Sequence, residues 1–589
     1  MKFGVNVERL RGNTFGADFP GGQLIFNGNG TNDTGLSDFL TNRSADINAD
    51  VPGTVTGRGV RQTIFGAYFQ DDTHVRPNLS VNWGLRYEMA SIITEQAGKL
   101  ANLRVLSNQV PVNPGDPNPT DSTYINHTGS PYIMNPTKRN FEPRVGFAWD
   151  PFKNGKTSVA GGFGLFDVLP LPVEMGSGVD GSAPFDIAFS ATSLSGPYVP
   201  NPDCSTSPGS GAFCKAQSAQ SSRYYVMQFD PKRNYVMQWN LNIQRQLSAG
   251  TSLMVGYVGA RGRHMRFQAD DVNMVYPTNL ATKLPSEAYI WPVPNTDPVA
   301  TGTGGFCADQ TTLPPCPWPV FNPFMGRTQM AIFDGNYYYN GLQVQFKKAM
   351  SHGFQIETSY TWSKNIDDGG GSVASDPFRN SISTLLWFCE RCRRSLSDQD
   401  QRHNLTLNYV WDIPTPASFG TLPKAILGNW EAGGILSIQS GTPFTVLVSG
   451  DPLGENNTDP FQYPDLTNLP GCDHPVNPQN ANGYIKLQCF ALPTGNRLGT
   501  SGRNGLIGPG LIDMDFSLFK NIPITKISES FKAQFRTEVF NIFNRPNFTS
   551  PNDNRAIMDP TGQVSGNAGV FTLTNTTSRQ IQFALKLTW

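Results

Sequence analysis

The stretch Ser578-Arg-Gln-Ile-Gln-Phe-Ala-Leu-Lys-Leu-Thr-Trp589 closes the chain and decides its fold. Ile581, Phe583, Leu585, Leu587 and Trp589 fall on one parity; Gln580, Gln582, Ala584, Lys586 and Thr588 fall on the other. Strict alternation of this kind is the signature of a β-strand with one apolar and one polar face. Twelve residues at about 3.3 Å each, tilted about 45°, rise roughly 28 Å, close to the hydrocarbon thickness of a bilayer.

The pattern recurs upstream. Leu79, Val81, Trp83, Leu85 and Tyr87 alternate with Ser80, Asn82, Gly84, Arg86 and Glu88. Tyr235 to Ile243, Leu342 to Phe346, Phe354 to Trp362 and Leu405 to Trp411 repeat it. A soluble sandwich alternates too, so the period alone does not choose. The polar faces are mostly uncharged Gln, Asn, Ser and Thr with occasional Arg, Lys and Glu, and the apolar faces are tipped by Trp and Tyr. That combination fits a lipid-facing belt, aromatic girdles and a polar lumen. Strands are expected near 2–10, 21–27, 44–51, 60–75, 79–92, 141–151, 156–167, 234–248, 251–261, 340–350, 353–364, 402–413, 428–440, 510–521, 531–543 and 579–589. From 60–75 onward the links alternate between short and long; the long ones are 93–140, 168–233, 262–339, 365–401, 441–509 and 544–578. Outer-membrane barrels have short periplasmic turns and long extracellular loops. In a compact soluble domain such loops would count against the assignment. The reading is therefore all-β: a transmembrane antiparallel β-barrel with long extracellular loops, occupying 1–589 as one domain.

Composition narrows the function. Charged residues make up 15% of 589, and 45 basic against 46 acidic residues leave a net charge of −1. No basic footprint points to nucleic acid. Aromatics at 11% exclude a disordered chain. No apolar run approaches the ~18 residues of a transmembrane helix. The opening Met1-Lys-Phe-Gly-Val-Asn-Val-Glu8 has no apolar signal-peptide core. That leaves a cytoplasmic protein or the downstream part of something longer, and the cysteines favour the second.

All eight cysteines lie in long links, as local pairs: Cys204 and Cys214, Cys307 and Cys316, Cys389 and Cys392, Cys472 and Cys489. Such pairs suit disulfides in an oxidising compartment. The competing reading of Cys389-Glu-Arg-Cys392 is redox or zinc chemistry with His403, which lacks a fourth zinc ligand. The same links carry Trp318, Phe321, Phe324, Tyr337, Tyr338, Tyr339, Phe461 and Tyr463. Of these, Trp318, the three tyrosines and Tyr463 are the candidate ligand platform, against packing of the loops on themselves or a place in the upper girdle. Arg86, Glu88, Lys347, Glu357, Arg536 and Glu538 are candidate lumen charges, to contact a plug, line a solute path or pair with one another. Asp367, Asp368, Asp398 and Asp400 offer carboxylates to a divalent cation, against a solvated loop.

Enzyme motifs fail. In Gly155-Lys-Thr157 the first glycine of a phosphate-binding loop is replaced by Asp150. Gly176-Ser-Gly-Val-Asp-Gly181 follows no buried strand. No cofactor or resident metal is expected.

Several stretches resemble the barrel of TonB-dependent outer-membrane receptors of the Oar-like group. They are Phe65-Gly-Ala-Tyr-Phe-Gln-Asp-Asp72, Leu79-Ser-Val-Asn-Trp-Gly-Leu-Arg-Tyr-Glu88, Phe141-Glu-Pro-Arg-Val-Gly-Phe-Ala-Trp-Asp150, Tyr339-Asn-Gly-Leu-Gln-Val-Gln-Phe346, Ser359-Tyr-Thr-Trp-Ser-Lys364, Arg402-His-Asn-Leu-Thr-Leu-Asn408 and Phe535-Arg-Thr-Glu-Val-Phe-Asn-Ile-Phe-Asn544, with terminal Trp589. The resemblance implies about sixteen strands of a 22-stranded barrel. It also implies an N-terminal plug and a TonB partner that this sequence does not contain, and insertion by the barrel assembly machinery through the strand ending at Trp589. The implied location is the bacterial outer membrane, in contact with its lipid. The implied activity is capture of a scarce ligand by the loops and its passage to the periplasm. The other readings are a passive porin and a barrel-anchored adhesion protein. The ligand class (iron chelate, saccharide, peptide or cobalamin) is left open.

Overall fold

The computed structural model describes residues 1–15, 22–26, 35–41, 46–50, 57–100, 102, 135–172, 185, 188–191, 224–228, 231–269, 271–284, 287–292, 328–369, 386–416, 418, 420–454, 462–478, 480–524, 531–551 and 554–589. A 17-stranded sheet dominates them. Three members are short pieces near the upper ends of longer strands: Thr94–Glu95, Tyr224–Met227 and Ser395–Leu396. The other fourteen are β1 Lys2–Phe15, β2 Gly57–Arg76, β3 Leu79–Ala90, β4 Phe141–Trp149, β5 Thr157–Asp167, β6 Tyr235–Ser248, β7 Thr251–Ala269, β8 Thr328–Ser351, β9 Phe354–Asp367, β10 His403–Ile413, β11 Trp430–Gln439, β12 Leu511–Pro523, β13 Lys532–Phe540 and β14 Gln580–Thr588. Each pairs antiparallel with its sequence neighbour. Among the described residues, β1 pairs only with β2 and β14 only with β13.

Fourteen of the sixteen expected strands thus form the wall. The other two, at 21–27 and 44–51, contribute Gln23–Ile25 and Asp46–Asp50 to a separate three-stranded sheet with Ala188–Ala191. The reason is register. β1 pairs directly with β2 along its whole length, from Lys2↔Gln70 to Phe15↔Gly57, and leaves no slot between them. The link 16–56 is therefore a long one, and the short–long alternation begins at β1.

The apolar face of the wall points outward. Ile581, Phe583 and Leu585 are 57%, 66% and 67% exposed, and Leu241 and Ile243 are 45% and 48% exposed. Two sheets pressed together would bury these side chains; a cylinder in lipid presents them. Tryptophans sit near the short-turn ends, with Trp149 closing β4, Trp430 opening β11 and Trp589 after β14. The Lys520 ammonium lies 5.3 Å from the Trp430 ring and donates to the Ile426 carbonyl at 3.0 Å, so an outward lysine is satisfied at the interface.

β7 and β8 depart from expectation. They reach Ala269 and back to Thr328, so Tyr337, Tyr338 and Tyr339 stand on strand β8, not in a loop. The 24 residues of β8 span roughly 80 Å of chain, more than a tilted strand needs to cross an apolar band about 25 Å tall, so the upper part of this hairpin stands clear of lipid.

The buried apolar core lies in the long links and at the upper ends of the strands that carry them. One cluster joins Phe444, Val446, Val448, Tyr484, Ile485, Phe490 and Leu506 to Ile557, Met558 and Ala568. A second joins Trp291, Leu386 and Leu453 from three different links. A third gathers Val60 of β2 and Ala331 and Phe333 of β8 with Ile93, Leu100 and Met227. Together they make a packed cap.

Candidate functional site: the lumen and its cap

Register sets the lumen. Arg86 faces Glu142 across β3 and β4, on the parity opposite to Trp83, Leu85 and Tyr87. Arg86 Nη2 donates to Glu88 at 2.5 Å, and Arg144 Nη2 to Glu142 at 2.6 Å. The Arg144 guanidinium also lies 4.4 Å from the Phe166 ring. A recess of about 390 Å³ opens beside Arg86, Glu142 and Arg144. Further round the wall, Lys347 and Glu357 are cross-strand partners with charged groups 3.9 Å apart, and Gln345 donates to Glu357 at 2.9 Å. Arg536 donates to Gln534 at 2.7 Å and stacks 4.9 Å from Phe519. Glu538 stands opposite Gln582 and Ser517. The six lumen candidates thus lie on polar parities of three separate wall regions. Arg86 pairs with Glu88 and Lys347 with Glu357, whereas Arg536 and Glu538 face neutral neighbours, so the six do not converge on one chemical centre.

The cap is held by buried ions. Arg503, from link 440–510, donates to both the backbone and the side chain of Asp367 at the end of β9. Asn504 donates to Asp398 and to the Leu396 carbonyl. Arg393 donates to Asp334 at 2.9 Å and stacks 4.2 Å from Phe267. Asp368 accepts from the Asn336 backbone at 2.8 Å and side chain at 3.0 Å. Asp400 accepts from the Asn365 N–H and from Arg402. The sequence offered these four aspartates as a cation site or a solvated loop; the structure gives neither. Asp367, Asp368, Asp398 and Asp400 are 9%, 4%, 9% and 2% exposed and engaged with arginine and amide donors. No metal-holding group occurs among the described residues. Burial pushes the Asp368 carboxyl above its ordinary value, outweighing the Asn336 donors. Asp465 shows the opposite balance. Burial would raise it, but the two-pronged contact with Arg497, at 2.9 and 2.8 Å, and the Thr500 N–H hold it below.

The aromatic candidates separate. Tyr463 is 6% exposed and packs with Leu447, so it is cap core and not a ligand platform. Tyr337 shares the lumen parity with its partner Gly262, where an added Cβ would collide with its ring. Tyr339 is on the same parity beside Gly341. Tyr338 is on the outward parity, with Arg261 and Arg394 each 4.9 Å from its ring. Trp318 lies outside the described residues, with Phe321, Phe324 and Phe461. An aromatic cluster that the sequence reading passed over is Tyr276, Tyr289, Trp291, Trp387 and Phe388, with ring centroids 5.3 to 6.4 Å apart. Its signal was the apolar run Leu385-Leu-Trp-Phe388 inside a long link. Burial pushes the Tyr276 phenol well above its usual range, and its hydroxyl donates to the Val272 carbonyl at 2.7 Å.

Two disulfides, Cys389–Cys392 and Cys472–Cys489, tie cap segments. The first leaves that pair no free thiolate to ligate zinc. Cys204, Cys214, Cys307 and Cys316 lie outside the described residues.

A family model for the outer membrane beta barrel domain matches residues 1–582. Among solved structures, the pyoverdine outer membrane receptor FpvA from Pseudomonas aeruginosa PAO1 is similar at 11% identity and TM-score 0.36, over 90% of this chain and 42% of its own. The ferric preacinetobactin receptor BauA from Acinetobacter baumannii is similar at 10% identity and TM-score 0.36, over 90% of this chain and 44% of its own. The outer membrane transporter YddB from Escherichia coli is similar at 8% identity and TM-score 0.36, over 92% of this chain and 53% of its own. The chain therefore spans about half the length of these structures or less. No curated protein matches the sequence.

Proposed function

We infer function from one premise: the chain belongs to the outer membrane beta barrel domain family and resides in the bacterial outer membrane. We propose that it is the barrel portion of a TonB-dependent receptor, which captures a scarce ligand through its loops and passes it to the periplasm. The observation that supports this reading is the inversion between wall and cap. Long links on one side of the membrane converge into packed apolar clusters above a polar lumen. A wide passive pore gains nothing from a cap with its own core and buried ion pairs. A gated receptor does, since loops with fixed shape present a specific surface. The plug and the energy-coupling partner of such receptors belong to the same proposal.

Uptake by whole cells tests it. Cells carrying the native gene are offered ferric chelates, saccharides, peptides or cobalamin, with and without a protonophore. The expected result is saturable uptake of one class, abolished by the protonophore. Unsaturable, protonophore-insensitive uptake with open conductance in planar bilayers would replace the proposal with a porin. Surface binding without uptake would replace it with an adhesion protein.

A further inference from the structure

We propose that Arg261, Arg263 and Arg394, gathered around Tyr338 on the outer face of the upper wall, bind the phosphorylated headgroup of an outer-leaflet lipid. The placement follows from register. Tyr257 and Leu342 are partners on the lipid-facing parity of β7 and β8, and Tyr257 is 41% exposed. Arg261 and Tyr338 are partners on the same parity, four residues further up each strand. That is about 13 Å along the strand, or roughly 10 Å of height at a 40° tilt, which lifts the pair from the apolar belt toward the headgroups. Arg263 is the partner of Tyr235, on the outward parity of Leu241 and Ile243 in β6. Arg394 arrives from link 368–402 and is exposed.

The chemistry is that of an anion site. Two guanidinium groups lie 4.9 Å from one phenol ring, and Arg261 Nη2 donates to the Tyr338 hydroxyl at 3.3 Å. Arg263 donates to the Asn336 side chain at 2.7 Å. Exposed Lys364 adds a further cation on the same parity, opposite Asn340. Among the described residues none of these four cations has a carboxylate within ion-pair distance, whereas Arg233, Arg393, Arg402 and Arg503 each do. Two acids of the same region, Asp368 and Glu390, both accept from the Asn336 side chain. Guanidinium forks match phosphate oxygens, and the aromatic ring suits the interface on which a headgroup rests. An outward site at the belt's upper edge meets lipid before it meets any dissolved anion, which favours a lipid phosphate as occupant.

The test uses the full chain extracted from outer membranes into detergent. Native mass spectrometry follows titration with bis-phosphorylated lipid A, with the same lipid dephosphorylated, and with inorganic phosphate. The expected result is one bis-phosphorylated lipid retained, with binding of the dephosphorylated form weaker. A basic residue near an anionic surface contributes about fivefold in affinity, so R261Q with R394Q should lose roughly 25-fold. Lys586→Gln, on the lumen parity of β14, should lose nothing. Heat-modifiable gel mobility separates lost binding from lost folding. Equal binding of both lipid forms, or an R261Q/R394Q chain that folds and binds as before, overturns the proposal. Displacement of the lipid by millimolar inorganic phosphate overturns the lipid assignment in favour of a free-anion site.

Discussion

The wall and the cap obey opposite burial rules within one chain. In the wall, Phe583 and Leu585 are two-thirds exposed on the outer face while the polar parity faces the lumen side. In the cap, Val446 and Val448 are fully buried, as in any water-soluble domain. The difference is the solvent on each side. Lipid accepts an apolar side chain at no cost, so the wall is stabilised by its continuous backbone ladder and by belt residues that lipid will not trade for polar ones. The cap stands in water and must hide its apolar groups by packing link against link. A residue's exposure therefore carries opposite meanings in the two regions.

The largest effect that sharpens this contrast is in the cap. Phe444 is 2% exposed within the cluster joining links 440–510 and 541–579. Phe444→Ala should cost about 3–5 kcal/mol of local stability. Because the wall contributes nothing to that cluster, limited proteolysis should cut the two links while the barrel keeps its heat-modifiable mobility. Loss of barrel and cap together would break the division. Next is Leu241→Arg, in the middle of β6. At 45% exposure in a water-soluble protein the change would be near neutral. At the lipid-facing midplane it should cost about 2–4 kcal/mol, read as a lower urea midpoint in lipid vesicles. A neutral result would argue that this face does not meet lipid.

The same contrast explains what the sequence made legible. Where lipid faces one parity and water the other, period two survives intact, as in Gln580–Thr588, and those strands were found within a few residues. Above the membrane the rule dissolves. The upper part of β8 buries Thr328, Gln329, Ala331, Ile332 and Phe333 with no period, so alternation marks its start only at 340, twelve residues late, and leaves three tyrosines outside the strand. The lumen charges were legible because they break the neutral polar parity. The cap was not, because its contacts join residues far apart in sequence: Arg503 reaches Asp367 across 136 residues, and Phe444 and Phe571 meet the same Tyr484 ring from two links. No local pattern encodes such partners. The aspartates of Asp367-Asp368 look solvated in the sequence because the arginines that bury them are written elsewhere.

The smaller effects probe how the cap is held. Replacing Cys472 and Cys489 by Ser opens a 17-residue span, which in the chain-entropy account removes about 3 kcal/mol or less. Faster proteolysis of link 440–510 with an unchanged barrel should follow. The smallest effect is in pH, and here two cap carboxylates must act with opposite sign. Asp465 titrates below its ordinary value of 3.8 in the folded cap. Its stabilisation is present above that value and fades as pH falls through the lowered one. For a partly exposed pair it amounts to about 1 kcal/mol or less. Asp368 titrates above its ordinary value. Its contribution is therefore complete below 3.8 and fades as pH rises through the raised one. Asp465→Asn should flatten the acid limb of cap stability, and Asp368→Asn should flatten the limb above pH 3.8. Proteolysis of link 440–510 across a pH series, with an acid-tolerant protease, reads both. If the two substitutions bend the profile the same way, the burial that distinguishes Asp368 from Asp465 is not what sets their protons.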